Sequence, residues 1–83
     1  MDIISDILTA IQRKGGIIKP THLLYKANLS HKLMNSYLEE LMEKEVIGKI
    51  EKNSHQYIII SDKGLQFLEQ FKKMQEFQNA FGL

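Results

Sequence analysis

The spacing of apolar residues changes several times along this chain, and each change marks an element. Ile3, Ile4, Ile7, Leu8 and Ile11 recur at helical spacing and predict an amphipathic helix over residues 2–14. Asp2 in its first turn and Arg13–Lys14 in its last suit the helix dipole. Gly15–Gly16 ends it, because glycine takes the left-handed C-terminal conformation without steric cost. Ile17, Ile18 and Lys19 suffice only for an edge strand of a small sheet. Pro20 blocks that strand, and Thr21 offers a hydroxyl cap to a short helix over 22–27. Leu23, Leu24 and Ala27 form its apolar face.

Asn28 and Leu29 predict a tight turn, since asparagine tolerates left-handed dihedrals. Ser30 is a good N-cap for a helix over 31–44. Leu33, Met34, Tyr37, Leu38 and Leu41 share one side of it, with Met42 at the margin. Lys32, Asn35, Ser36, Glu39 and Glu43 share the other, and His31 borders them. Two β-branched runs follow, at 46–51 and 55–60, joined by the turn-forming Lys52, Asn53 and Ser54, and these read as a hairpin. Gly48 suggests a bulge or close packing in the first run. Ser61 and Asp62 open a last helix that reaches about residue 81. The predicted class is α+β, mostly α.

That last helix carries a second pattern. Phe67, Phe71, Met74, Gln78 and Phe81 follow a heptad-like stripe, with Phe77 beside it. Leu65 and Leu68 can pack back on the body, as can Phe77 or Leu83 if the end curls. The remaining apolar surface exceeds what one small domain needs, and the same helix of a second chain would cover it. The alternative is that the helix folds across the first one and completes the core.

Length sharpens this choice. At 83 residues there is room for one domain, which buries only about 60% of its unfolded surface. Cysteine is absent, which removes disulfides and thiolate metal sites as sources of extra stability. A partner chain is the remaining supplement. No apolar run approaches membrane-spanning length, and acids stand where a signal peptide would be basic, so a cytoplasmic location is expected.

Net charge is only +1, but its distribution is uneven. Residues 7–38 contain no Asp or Glu, and they hold Arg13, Lys14, Lys19, Lys26 and Lys32 with His22 and His31. A one-sign segment offers a field to an anion; the plainer explanation is a solvated face that lacks acids. The separations of His22, His31 and His55 fit no zinc site. No glycine-rich phosphate loop or nucleophile–base spacing is present. Neither catalysis, nor a cofactor, nor a metal is expected.

The order of elements has helix-turn-helix proportions at the second and third helices, with the hairpin in the place of a wing. Residues 20–68 resemble the archaeal winged-helix regulators, and among them the small DNA-binding proteins that dimerise through a C-terminal helix. The likeness rests on Thr21 through Ser30, on Tyr37 through Leu41, and on Val46–Ile47. It continues in the Tyr57-to-Gly64 stretch that ends Ser-Asp-Lys-Gly, and in Phe67–Leu68. The resemblance implies a winged helix-turn-helix in which a three-helix bundle and wing occupy residues 1–62. Residues 63–83 then form a C-terminal dimerisation helix of the same single domain. Such proteins have glycine just before the first wing strand, where this chain has Glu45.

The resemblance also implies double-stranded DNA as partner, a homodimer, the third helix in the major groove and the wing on the backbone. The residue types agree: Ser30, His31, Lys32, Asn35 and Ser36 offer phosphate and base-edge partners near the helix start. Lys52, Asn53 and Ser54 at the wing tip, with Lys19 and Lys26, suit the backbone. The dimer residues are Phe67, Phe71, Met74, Phe77, Gln78 and Phe81. A transcriptional regulator is the leading role, and a small chromatin-associated factor stands beside it. A protein-interaction module without nucleic acid is the competing class, supported by the low net charge and Glu39.

Overall fold

A computed structural model describes residues 3–82. Helix α1 (Ile3–Arg13) leads to strand β1 (Ile17–Ile18) and helix α2 (Pro20–Ala27). Helix α3 (His31–Glu43), strands β2 (Ile47–Lys52) and β3 (His55–Ile60), and helix α4 (Asp62–Ala80) complete the chain. The strands form one antiparallel sheet in the order β1-β3-β2. This is the expected α+β architecture: three helices, an edge strand, a hairpin wing and a long final helix. Asp2, expected in the first turn of α1, and Leu83, expected to pack on the body, lie outside the described residues.

The core joins one stripe from each helix to the inner face of the sheet. Ile7, Leu8 and Ile11 of α1 meet Leu23 of α2 and Met34, Leu38 and Leu41 of α3. Ile18, Val46, Ile47 and Ile58 close the sheet side, and Leu68 anchors α4. Three residues expected in these stripes are outside them: Ile3 of α1 is 36% exposed, Leu33 of α3 42% and Leu65 of α4 39%.

The helix ends show how local chemistry sets the boundaries. Gly16 N–H donates to the Ile11 carbonyl at 3.0 Å and Gly15 N–H to that of Gln12 at 3.0 Å, which is a Schellman closure with Gly15 left-handed. Helix α3 closes the same way: Val46 N–H donates to Leu41 O at 3.1 Å and Glu45 N–H to Met42 O at 3.0 Å. The left-handed position is now Glu45, at φ +63°, a conformation that costs an L-residue with a side chain roughly 1–2 kcal/mol. Asn28 is left-handed at the end of α2, and Ser30 caps α3 by accepting from Leu33 N–H at 3.2 Å. Thr21 is not a cap. Helix α2 starts at Pro20, whose fixed φ suits the first helical position, and Lys19 precedes it without a side-chain cap bond.

The wing has a two-residue loop. Asn53 and Ser54 are both left-handed (φ 53° and 65°), as a type I′ hairpin turn requires. Pairing is unbroken from Ile47↔Ile60 to Lys52↔His55, so Gly48 marks no bulge. A Cβ there would stand 3.6 Å from the Ile59 side chain, an ordinary contact, and close packing does not explain this glycine either.

Gly64 is different. Ser61 caps α4 by accepting from Gly64 N–H at 3.0 Å, and its hydroxyl donates to the Glu45 carbonyl at 2.6 Å. Ser61 N–H donates to Val46 O at 3.0 Å. The first turn of α4 thus lies directly on the α3–β2 corner. A Cβ on Gly64 would overlap the Val46 carbonyl oxygen and stand 2.8 Å from Ile60 Cγ1. Only glycine permits this approach.

Candidate nucleic-acid interface

Helix α3 buries Met34, Leu38 and Leu41, and this fixes what its opposite side shows. His31, Lys32, Asn35, Ser36 and Glu39 are all exposed there. Residues 32, 35, 36 and 39 follow helical spacing, so they share one face. The uncapped amides of the first turn add partial positive charge at the same end. Exposed Leu33 lies next to this row, giving it an apolar neighbour that the stripe pattern had assigned to the core.

At the wing tip Lys52, Asn53, Ser54 and His55 are exposed. Lys52 and His55 are directly paired and therefore project from the same face of the hairpin. Tyr25 on α2 is 84% exposed, the most solvent-facing of the large hydrophobic residues, and Thr21 and Asn28 stand near it around one shallow depression. Sequence reasoning gave Tyr25 no role. Only its burial could reveal it, since an aromatic in a short helix reads as core.

Two ion pairs occur among the described residues, Lys44–Glu40 at 3.0 Å and Lys73–Glu69 at 3.4 Å, both one turn apart on a single helix. Neither touches residues 7–38. Arg13, Lys14, Lys19, Lys26 and Lys32 therefore have no carboxylate partner there, and all five are exposed. Partial burial lowers the pKa of His22, and the charges of Lys14 and Lys26 lower it further.

Helix α4 exposes an apolar stripe among polar neighbours. Phe67, Met74, Phe77 and Phe81 are exposed, Phe81 by 68%, while Phe71 is half-buried and Gln78 faces solvent. Phe77 and Phe81 stack on each other with ring centroids 4.7 Å apart. At the base of the helix Phe67 borders a small recess of about 70 Å³ with Ile4, Leu41, Lys44 and Val46. Phe77 does not curl back onto the body. No group of three metal-ligating side chains occurs among the described residues, and no helix there is long and apolar enough to cross a membrane.

Residues 1–79 match the winged helix-turn-helix family. No curated protein matches the chain. Among solved structures, a winged-helix DNA-binding protein from STIV superposes with a TM-score of 0.77 at 14% identity, covering 89% of this chain and 85% of that one. Sso10a-2, a DNA-binding protein from Sulfolobus solfataricus, gives 0.70 at 22% identity over 96% of this chain and 84% of its own. The oxidised form of MarR from E. coli gives 0.77 at 17% identity, over 93% of this chain but 60% of that protein. At these identities the likeness is one of fold.

Proposed function

The chain belongs to the winged helix-turn-helix family, and we propose that it is a homodimeric double-stranded DNA-binding protein of the regulatory kind. The carrying observation is the acid-free segment, whose five cations are all exposed and have no carboxylate partner among the described residues, Lys32 standing in the polar row of α3 itself. Unpaired cations on one segment are what a polyanion requires, because each phosphate contact releases condensed counterions. Two of the structurally similar proteins are themselves described as DNA-binding, which supports the reading.

In this reading α3 enters the major groove with its first turns leading. Lys32 contacts phosphate or guanine, and Asn35 can pair both edges of adenine. Ser30, His31 and Ser36 reach phosphate or base edges, and Leu33 is suited to a thymine methyl. Lys52, Asn53 and Ser54 of the wing, with Lys19, Lys26 and Tyr25, meet the backbone. The stripe from Phe67 to Phe81, including Phe71, Met74, Phe77 and Gln78, pairs two chains. Covering one half-exposed phenylalanine removes roughly 100 Å² of apolar surface, about 2.5 kcal/mol at 25 cal/mol per Å².

The test is duplex binding at several salt concentrations. The wild type should show log affinity falling with log salt at a slope on the order of −4 to −8. Lys32→Glu with Asn35→Ala should abolish binding and leave the dimer intact; unchanged affinity would remove α3 from the interface. Exposed Glu39 and Leu33 favour the competing interaction-module reading, which gains if the wild type fails to bind duplex at low salt. The net charge of +1 argues against bulk compaction of DNA, since that depends on a large basic excess.

A further inference from the structure

A cleft of about 410 Å³ lies between α1 and α2, and no residue of α3 or the wing lines it. Asp6, Thr9, Ala10, Arg13 and Lys14 of α1 line it, with Lys26 of α2. Asp6 and Arg13 are seven residues apart on α1, so they stand roughly 10 Å apart along the helix axis. The cleft therefore has one acidic end and one basic end. His22 adds to the basic end: it precedes Lys26 by one turn of α2, and the charges of Lys14 and Lys26 both reach its ring.

The carbonyls at the end of α1 account for cations at Arg13 and Lys14. They do not account for Lys26 and His22, which come from another helix. Arg13, Lys14 and Lys26 line the one cleft, His22 feels the charges of both lysines, and none of the four is paired with a carboxylate among the described residues. We propose that the basic end of this cleft binds a phosphate group, as a second anion site separate from the α3 row. A phosphate suits it, because its terminal oxygens are set tetrahedrally and can accept from both helices at once; a free phosphate or phosphomonoester also carries more charge than a carboxylate and offsets more of the mutual repulsion. Two sources share this chemistry: a backbone phosphate of bound DNA, or a free phosphate or phosphomonoester. The DNA source rests on the function proposed above, and the free source does not.

The His22 ring is the reporter, read by NMR on the whole protein. In the first arm inorganic phosphate is titrated into DNA-free protein against chloride at matched ionic strength. The His22 resonances should shift saturably and its titration midpoint should move up, because a neighbouring anion favours imidazolium. His55, far along the wing, should not respond. In the second arm random-sequence duplex replaces phosphate. Arg13→Gln with Lys26→Gln should lose the response while keeping the wild-type melting curve. In the duplex arm that variant should also reduce the salt slope by about one for each phosphate it no longer neutralises. A response in either arm supports the site, and the responding arm names the source. A His22 midpoint unmoved by both, or moved equally in the double variant, overturns it. Lys32→Glu with Asn35→Ala separates the two proposals: loss of duplex binding there leaves the inorganic-phosphate response of His22 in place.

Discussion

Gly64→Ala is expected to destabilise this protein, although the same change at an exposed position inside a helix usually stabilises by about 1 kcal/mol. The sign reverses because of what faces the missing Cβ. The new methyl would overlap the Val46 carbonyl oxygen and approach Ile60 Cγ1 to 2.8 Å. The Ile60 side chain can turn away, but Val46 is backbone, held by its own N–H bond to Leu41 and by the bond its carbonyl accepts from Ser61 N–H. The first turn of α4 must therefore lift. Overpacking of this kind costs about 1–3 kcal/mol. Lifting also loosens the bond from Ser61 N–H, at about 1 kcal/mol. Subtracting the gain in helix propensity leaves a net loss of roughly 1–3 kcal/mol. For a domain of this size that lowers the melting temperature by roughly 4–20 °C. Thermal unfolding followed by circular dichroism at fixed protomer concentration measures it, since a dimer's melting point depends on concentration. A variant as stable as the wild type, or more so, would refute the proposed contact between α4 and the α3–β2 corner.

Glu45→Gly should do the opposite at the other side of the same corner. It relieves a left-handed glutamate worth roughly 1–2 kcal/mol but loosens the unfolded chain by about 0.4–1 kcal/mol, so the melting temperature should stay level or rise by a few degrees. A clear fall would mean that the Glu45 side chain contributes more than its backbone costs. Phe71→Asp with Met74→Asp should give a 9.7 kDa monomer by sedimentation and abolish any dependence of melting temperature on concentration. A wild type that already sediments at 9.7 kDa would end the pairing proposal.

What the sequence made legible follows the range of the interactions involved. Ser30, Asn28, Ser61, Gly15 and the Asn53–Ser54 turn act on backbone within a few residues, and each does in the structure what its residue type suggests. Thr21 failed because Pro20 competes for the same helix start and its ring fixes the outcome. Gly48 failed because a bulge depends on the partner strand, and β3 pairs straight through it. Leu33 and Leu65 show that a stripe's width is set by neighbours the periodicity does not contain. The polar row of α3 was readable as the complement of its core face. The α1–α2 cleft was not, because Arg13, Lys14, His22 and Lys26 are separate charges until two helices bring them together.

Gly64 ties these scales to the proposed function. The Ser-Asp-Lys-Gly stretch reads locally as a helix cap, and it is one: Ser61 accepts from Gly64 N–H. Yet its glycine answers a non-local demand, the close approach to Val46. That approach fixes the direction in which α4 leaves the body. In a dimer paired through α4, the same joint sets the distance and angle between the two copies of α3. Spacing between half-sites on DNA would then be a property of residues 61–64 and of the Phe67–Phe81 stripe, while base preference would belong to Lys32, Asn35 and their neighbours. Substitutions at the joint should therefore change which half-site separation binds without changing which bases are preferred within each half.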